Sequence, residues 1–312
     1  MQNFQNILFV SKGNVEHTEA LKQALWLANS AQVPIKILIL CPEFSGAMSE
    51  YKEKFEQSIR DQFKSFITKI CDELKIDNKQ EQINIDVEYG STPVIRIIRH
   101  VLRNQHDLVI KDVEAVEKGF KSIDMELLRK CPCAVWLCRP NVRANLQKGI
   151  HLAVAIDAES EEQSAHDLSL RLLKLSHSLA DTYGEELNVV SCWDYELEDY
   201  LRHNLWVNMP EEKLQNLITE VQTKNHHALD SLIKESKISG KINIGHFKGL
   251  PDQVIPNYVL EKNIDLLIMG TVSRTGIQGF LIGNTAENVV QKINCSLLAL
   301  KPNGFVSSVK AY

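Results

Sequence analysis

A glycine-bearing segment in the second half of the chain has the composition of a phosphate-binding loop. It follows the apolar run Leu266–Met269 and contains Gly270, Gly276, Gly279 and Gly283. Glycine allows close backbone approach to a ligand and dihedral angles that side chains forbid, so we expect an unusual backbone at Gly270. The segment then opens a helix, and a helix N-terminus offers unpaired N–H groups and a partial positive charge to an anion.

Polar side chains of the same segment could complete such a site. Arg274 is a cation within reach of a phosphate, and the hydroxyl of Ser273 could donate to one. Asn284 and Thr285 are good helix-capping residues. The alternative is a glycine-rich connection that ends in a well-capped helix. The segment lacks Gly-Lys-Ser/Thr and follows a fourth strand, which argues against a P-loop and a dinucleotide fingerprint.

The elements that must position this segment occur twice along the chain. In the first half five short apolar runs are Ile7–Val10, Ile35–Leu40, Ile83–Tyr89, Asp107–Ile110 and Cys133–Leu137. In the second half they are Leu152–Ile156, Leu187–Cys192, Ile242–Phe247, Asp265–Ile268 and Cys295–Leu300. Apolar strands that alternate with helices indicate parallel sheets covered on both faces. We therefore predict an α/β fold of two tandem doubly wound parallel five-stranded sheets, with ligand crevices at the carboxyl ends of the strands.

Length and composition limit the function classes. The 312 residues favour two domains, which we place at 1–141 and 148–312. The net charge of −5 argues against a nucleic-acid partner. The chain has no apolar run of ~20 residues, so we expect no membrane partner. Seven cysteines, an odd number, and no evident signal peptide predict a cytoplasmic protein with reduced thiols.

The spacing of Gly270, Ser273 and Gly283-Asn284 resembles the nucleotide motif of the universal stress protein family. That motif is Gly, two residues, Gly, nine residues, then Gly with Ser, Thr or Asn, and here Ser273 replaces the second glycine. The segment Gly283–Glu287 is also similar to the family's loop. The resemblance covers both halves and points to the tandem type of the family.

The resemblance implies that the second half binds ATP or a related adenine nucleotide. The residues expected at the phosphates are Gly270, Ser273, Arg274, Gly276, Gly283, Asn284 and Thr285. Asp157, at the end of the first strand of this half, is expected near the adenine and ribose. The family also implies that the halves pair through their last strands as an internal pseudo-dimer, and a homodimer remains possible.

The first half departs from this pattern. Its segment after the fourth strand is four residues shorter and has no glycine until Gly119. It carries Asp112, Glu114 and Glu117, which would repel a phosphate, and Ser11 stands where the aspartate is expected. We therefore predict that the first half is a degenerate unit without a nucleotide.

Three other groups of residues could carry chemistry. Cys131-Pro-Cys133, with Cys138, could form a redox or soft-metal site, but the spacing is not Cys-x-x-Cys and a structural role is favoured. His226 and His227 are adjacent on a helix and point apart, so a solvated pair is favoured over a metal site. His203, on a predicted loop at 199–208, could approach them.

The third group is the acidic and aromatic segment from Asp194 to Trp206, which is either a surface loop or a lip over a ligand. No catalytic triad or metal-ligand spacing stands out, so we predict no dedicated enzyme and at most slow ATP hydrolysis.

The predicted function is binding or sensing of a small-molecule ligand in the stress response. The alternative is a non-nucleotide scaffold or a binder of a small apolar or lipid-like ligand. Phe55, Phe63 and Phe66 could line an apolar groove, although core packing is the simpler account.

Overall fold

The computed structural model describes residues 4–13, 19–44, 46–76, 83–113, 117–139, 149–160, 162–203, 209–271 and 282–312. Within these ranges each predicted apolar run is a strand. The strands of the first half are β1 (Ile7–Ser11), β2 (Ile35–Cys41), β3 (Asn84–Tyr89), β4 (Leu108–Asp112) and β5 (Ala134–Cys138). Those of the second half are β6 (Leu152–Ile156), β7 (Leu187–Trp193), β8 (Ile242–Lys248), β9 (Leu266–Gly270) and β10 (Ser296–Leu300).

Helices connect the strands in the same order in both halves. The first half contains α1 (Glu19–Ala31), a short 3-10 helix (Gly46–Tyr51), α2 (Lys52–Leu74), α3 (Pro93–Asn104) and α4 (Ser122–Lys130). The second half contains α5 (Gln163–Tyr183), α6 (Glu198–His203), α7 (Glu211–Ser236), α8 (Pro251–Glu261) and α9 (Asn284–Lys292). Helix α6 lies where the sequence predicts a loop. Its acidic first residues, Glu198 and Asp199, favour a helix start there.

The two predicted parallel sheets are confirmed, and they join into one sheet of ten strands in the order β3-β2-β1-β4-β5-β10-β9-β6-β7-β8. Neighbouring strands within each half are parallel. The exception is the contact between the halves, where β5 and β10 are antiparallel and Leu298 pairs with Trp136. We call this contact the seam. The expected pairing through the last strands is therefore present within one chain.

The core is continuous across the seam on both faces of the sheet. One buried apolar cluster joins Ile7 of β1 to Leu187 of β7, and the other joins Leu8 of β1 to Leu267 of β9. Trp26 of α1 also stacks on Tyr183 of α5, with ring centroids 4.4 Å apart. The halves thus bury their apolar faces together. The expected boundary between the domains falls at 140–148, outside the described residues.

Among the described residues, no helix combines the length and the apolar character needed to cross a membrane.

Candidate functional site

The glycine-bearing segment leaves and rejoins the fold at one point in the second half. Thr271, which follows β9 and is fully buried, donates its N–H to the carbonyl oxygen of Leu300 at 3.1 Å. Its own carbonyl oxygen accepts the N–H of Gly283 at 2.9 Å. Both ends of the segment are therefore fixed beside the carboxyl ends of β9 and β10. The predicted residues Ser273, Arg274 and Gly276 lie outside the described residues.

The structure requires a glycine at position 270 for close packing, and not for the unusual dihedral angle predicted from the sequence. It is not among the described glycines with positive φ, so the expected unusual dihedral angle is absent. A Cβ atom at this position would lie 2.8 Å from Cδ2 of Leu168 and 3.8 Å from Cδ1 of Leu172. Both leucines belong to α5 and are buried. The missing side chain therefore lets α5 pack closely on the end of β9.

The N-terminus of α9 begins directly after this point. Gly283 is the N-cap residue, with φ −63° and ψ 144°, and no side chain of the described residues caps the helix. The prediction of Asn284 and Thr285 as capping residues is wrong, since they are the first two residues inside the helix, and both are exposed. The first-turn N–H groups consequently retain their partial positive charge toward an anion.

Asp157 lies at the same end of the sheet. It follows β6, its side chain is exposed, and Oδ1 accepts the N–H of Glu159 at 3.2 Å. Strands β6 and β9 are parallel neighbours in which Val154 pairs with Ile268, and continuing that register places Asp157 beside Thr271. The helices that follow these two strands, α5 and α9, lie on opposite faces of the sheet. Open α/β sheets bind ligands between two such strands, at their carboxyl ends.

In the first half a buried ion pair joins β4 to α4, at positions where the second half has the buried residues Met269 and Ala286. The ammonium of Lys111, on β4, lies 2.5 Å from Oδ1 of Asp124 in the first turn of α4. Both side chains are more than nine-tenths buried. Asp112, the last residue of β4, accepts the N–H of Ala20 in α1 at 3.2 Å. A carboxylate thus already occupies the N-terminal turn of α4, where an anion would be attracted.

The sheet register also revises the predicted position of the missing aspartate. Ile7 pairs with Leu108 in the first half, as Leu152 pairs with Leu266 in the second. The residue equivalent to Asp157 is therefore Lys12 and not Ser11. The sequence pattern missed this position and the Lys111–Asp124 pair, although a lysine directly after the apolar run that ends at Ile110 was a signal for a buried ion pair.

The histidines of α7 lie apart from His203. The ring of His226 is 5.2 Å from that of His246 on β8, whereas Nδ1 of His203 lies 3.0 Å from the carbonyl oxygen of Asp199. Nε2 of His246 lies 2.7 Å from Oδ1 of Asn225, and burial lowers the pKa of His246. These contacts agree with the favoured interpretation of the histidines as surface residues.

The acidic and aromatic segment packs on the second half as a small surface cluster. Tyr195 and Leu201 contact a group formed by Trp193, Leu214 and Ile218. Glu198 pairs with Lys248 of β8, and the hydrogen bond from Lys248 lowers the pKa of Glu198. Trp206 lies outside the described residues. The segment is therefore held beside the ends of β7 and β8 by apolar contacts and ion pairs.

Comparisons with known proteins agree with this arrangement. The family model described as "Universal stress protein family" matches residues 151–301. Over its full length the chain is similar to universal stress protein E of Photorhabdus laumondii, with 27% identity covering 100% of this chain and 99% of that protein. It is 28% identical to universal stress protein E of Escherichia coli K12, covering 99% and 98%.

A solved structure shares the fold of the whole chain. It is that of a functionally unknown protein from Pseudomonas aeruginosa PAO1, with a TM-score of 0.69 and 21% identity, covering 97% of this chain and 94% of that one. The family model thus falls on the half that carries Gly270 and Gly283, and the relatives align with both halves.

Proposed function

We propose that this chain, whose second half matches the universal stress protein family model and whose full length is similar to universal stress protein E of two bacteria, binds ATP or a related adenine nucleotide. The site would lie at the strand ends of the second half. The phosphates would lie at Gly270, Ser273, Arg274, Gly276, Gly283, Asn284 and Thr285, and the nucleoside beside Asp157. The protein would act by binding or sensing this ligand in a stress response.

The observation that carries the proposal is the difference between the two helix N-termini. Neither α9 nor α4 has a capping side chain among the described residues. The third helical residue of α9 is Ala286, and the acidic Glu287 that follows it is paired with Arg129. In α4 the corresponding turn contains Asp124, paired with Lys111. The third helical position therefore carries a carboxylate in α4 and none in α9, which supports one anion site in each chain, at α9.

A charge added at the N-cap tests this proposal. Gly283→Asp places a carboxylate where the phosphates would lie, and we expect ATP affinity to fall roughly tenfold or more in calorimetric titration. The variant should keep its fold, because φ −63° and ψ 144° suit any residue and aspartate is a favourable N-cap.

Lys121→Asp is the matched control, since Lys121 is the N-cap of α4 in the first half. We expect it to leave ATP affinity unchanged. No binding heat from the unmodified protein at millimolar ATP would overturn the proposal. Equal losses of affinity in the two variants would overturn the assignment to the second half.

We further propose that ATP is held and at most slowly hydrolysed. No general base or metal-ligand group was identified from the sequence, and Asp157 already accepts a backbone N–H. Phosphate release should therefore not exceed the rate in buffer by more than a small factor. A steady-state turnover typical of ATPases would contradict this part of the proposal.

A second candidate function, binding of a small apolar ligand, is favoured by aromatic residues at the strand ends of the first half. Phe44 lies 5.3 Å from Phe55 and 5.6 Å from Tyr89 between ring centroids, and Phe55 is 39% exposed. Phe63, by contrast, is buried in the core. Native mass spectrometry of the purified protein separates the candidates: a co-purifying apolar mass favours this one and an adenine nucleotide favours the first.

A further inference from the structure

Each end of the seam between β5 and β10 carries a buried cation. Arg139 directly follows β5, and Lys301 directly follows β10 at the equivalent place in the repeat; they are 7% and 6% exposed. Arg139 donates to the carbonyl oxygens of Cys295 at 3.1 Å, Ile293 at 3.2 Å and Gly119. The cavity at this end is only about 10 Å³. The end that carries Arg139 is therefore closed, and its cation is bonded.

The end that carries Lys301 is open. Nζ of Lys301 is buried without a hydrogen-bond partner among the described residues, and it lies 4.7 Å from the ring centroid of Phe305. Burial lowers the pKa of Lys301 to about 8, and the nearby Cys131 opposes that shift. A groove of about 1010 Å³ reaches this place, lined in part by Lys301, Cys133, Leu175 and Phe305. The ammonium thus stands beside the groove without a bonded anion.

Two thiols lie together at this open end. The Sγ atoms of Cys131 and Cys133 are 3.5 Å apart. Cys131 is fully buried, whereas Cys133 is half-buried and lines the groove. Burial acts to raise the pKa of Cys131, but the hydrogen bond from Cys133 and the charge of Lys301 outweigh it and lower that pKa. In the second half the equivalent residues are Ile293 and Cys295, so the repeat provides one thiol where the first half has two.

We propose that Cys131 and Cys133 form a dithiol site that hydroperoxides oxidise reversibly to a disulfide, with Lys301 as the buried cation that stabilises negative charge on the sulfurs during the reaction. Cys133 is the attacking sulfur because it lines the groove. Cys131, behind it, is the resolving sulfur.

The reaction balances with a hydroperoxide as the oxidant. In the reactive form the pair holds one proton, which lies in the hydrogen bond between the two sulfurs. The proton passes fully to Cys131, and the Cys133 thiolate attacks the O–O bond, giving a sulfenic acid and an alkoxide or hydroxide. Cys131 then attacks the Cys133 sulfur and forms the S–S bond, while its proton and the sulfenic hydroxyl leave as water. A thiol reductant restores the pair by exchange.

The buried cation favours this chemistry over metal binding. A positive charge beside the two sulfurs stabilises a thiolate and repels a metal ion. Within the described ranges, no third histidine, cysteine or carboxylate side chain joins the pair in a group that could hold a metal. Cys131 differs in this from buried thiols such as Cys138, in which burial raises the pKa well above the ordinary thiol value. The hydrogen bond to Cys131 and burial also raise the pKa of Cys133, so the thiolate of the resting pair is on Cys131.

Mass spectrometry of the full chain tests the proposal. The tryptic peptide that follows Lys130 contains Cys131, Cys133 and Cys138. After a brief treatment with a few equivalents of hydrogen peroxide and then an alkylating reagent, we expect this peptide to carry one alkyl group, on Cys138, and a disulfide that dithiothreitol reverses. In Cys131→Ser, a dimedone adduct should form on Cys133.

Lys301 is tested by a pair of variants. Lys301→Met removes the charge and should slow disulfide formation about tenfold, the effect of about one pKa unit on the thiolate fraction. Lys301→Arg keeps the charge and should restore most of the rate, and melting temperatures should show that both variants are folded. Alkylation of all three cysteines of this peptide in the treated unmodified protein would overturn the site. Equal rates in the unmodified protein and Lys301→Met would overturn the role of Lys301.

Discussion

At the scale of single residues, the end of the fourth strand differs between the halves. Gly270 makes room for Leu168 of α5, whereas Asp112 accepts the N–H of Ala20 in α1. The second half therefore joins strand and helix by close apolar packing, and the first half joins them by a hydrogen bond.

Gly270→Ala should destabilise the fold. The new Cβ would lie 2.8 Å from the buried Leu168, so α5 or that side chain must shift, at a cost of about 1–3 kcal/mol. The measurement is the free energy of unfolding in urea. Gly46→Ala is the control, since a Cβ there meets nothing within 4 Å, and we expect a change below about 0.5 kcal/mol. Similar losses in both variants would contradict the packing role.

His106 should make the fold sensitive to acid. Burial first, and then the nearby His100, lower its pKa from 6.5 to about 4. Between those values the unfolded chain binds a proton that the folded chain excludes. The stabilisation is therefore complete above pH 6.5 and is lost as the pH falls toward 4.

The test is the difference in free energy of unfolding between pH 7 and pH 5. His106→Gln can still donate to Oδ1 of Asn6, which lies 2.9 Å from Nδ1 of His106, and it does not titrate. The difference should be smaller in this variant by about 2 kcal/mol. An unchanged difference would show that other groups cause the acid sensitivity.

These residues also show how far sequence reasoning reached into the site. The sequence placed Gly270, Gly283 and Asp157 at strand and helix ends, because composition and periodicity mark where elements stop. It gave the wrong reason for Gly270 and the wrong cap at Asn284, because both depend on how close α5 and α9 come to the sheet. Such distances between elements are not encoded in local spacing.

At the scale of elements, the pairs β4–α4 and β9–α9 are equivalent in the repeat, but the contact between strand and helix is ionic in the first and apolar in the second. Lys111 and Asp124 form a buried ion pair in the first, and their equivalents in the second are Met269 and Ala286. The apolar runs predicted all ten described strands, since buried parallel strands need little besides hydrophobic residues. The ion pair was missed because its partners are 13 residues apart on different elements.

A double-variant cycle tests this difference. Lys111→Met alone leaves Asp124 buried without its partner, and we expect a loss of about 3–5 kcal/mol in the free energy of unfolding. Adding Asp124→Ala copies the residues of the second half and should recover most of that loss. A double variant as unstable as the single one would show that the pair contributes little through its charges.

At the scale of the whole molecule, the seam makes the halves one cooperative structure. Both core clusters run through both halves, and Trp136, 2% exposed, packs in the seam opposite Leu298. The matching order of apolar runs predicted the repeat, but the joining of two sheets into one was implied only by the family resemblance. The sequence of one half alone does not show which edge strand of its sheet pairs with the other half.

Trp136→Ala should therefore destabilise both halves together. Removing a buried tryptophan costs about 3–5 kcal/mol, and the loss should appear as one transition shifted to lower urea. Circular dichroism would follow the unfolding of the whole chain. Hydrogen exchange of β2 and β7 would report the two halves separately. Two separate transitions, with only the first half weakened, would contradict the cooperative structure.

The antiparallel seam also has an evolutionary consequence. In a symmetric dimer of identical subunits, every substitution appears twice, so both sites gain or lose a function together. Here the last strands that would form such an interface are joined within one polypeptide, and each half mutates alone. Lys111 and Asp124 could therefore arise in the first half without appearing in the second, where Met269 and Ala286 stand at the equivalent positions. The fused chain thus keeps the strand pairing of a dimer, while its two halves can differ in sequence.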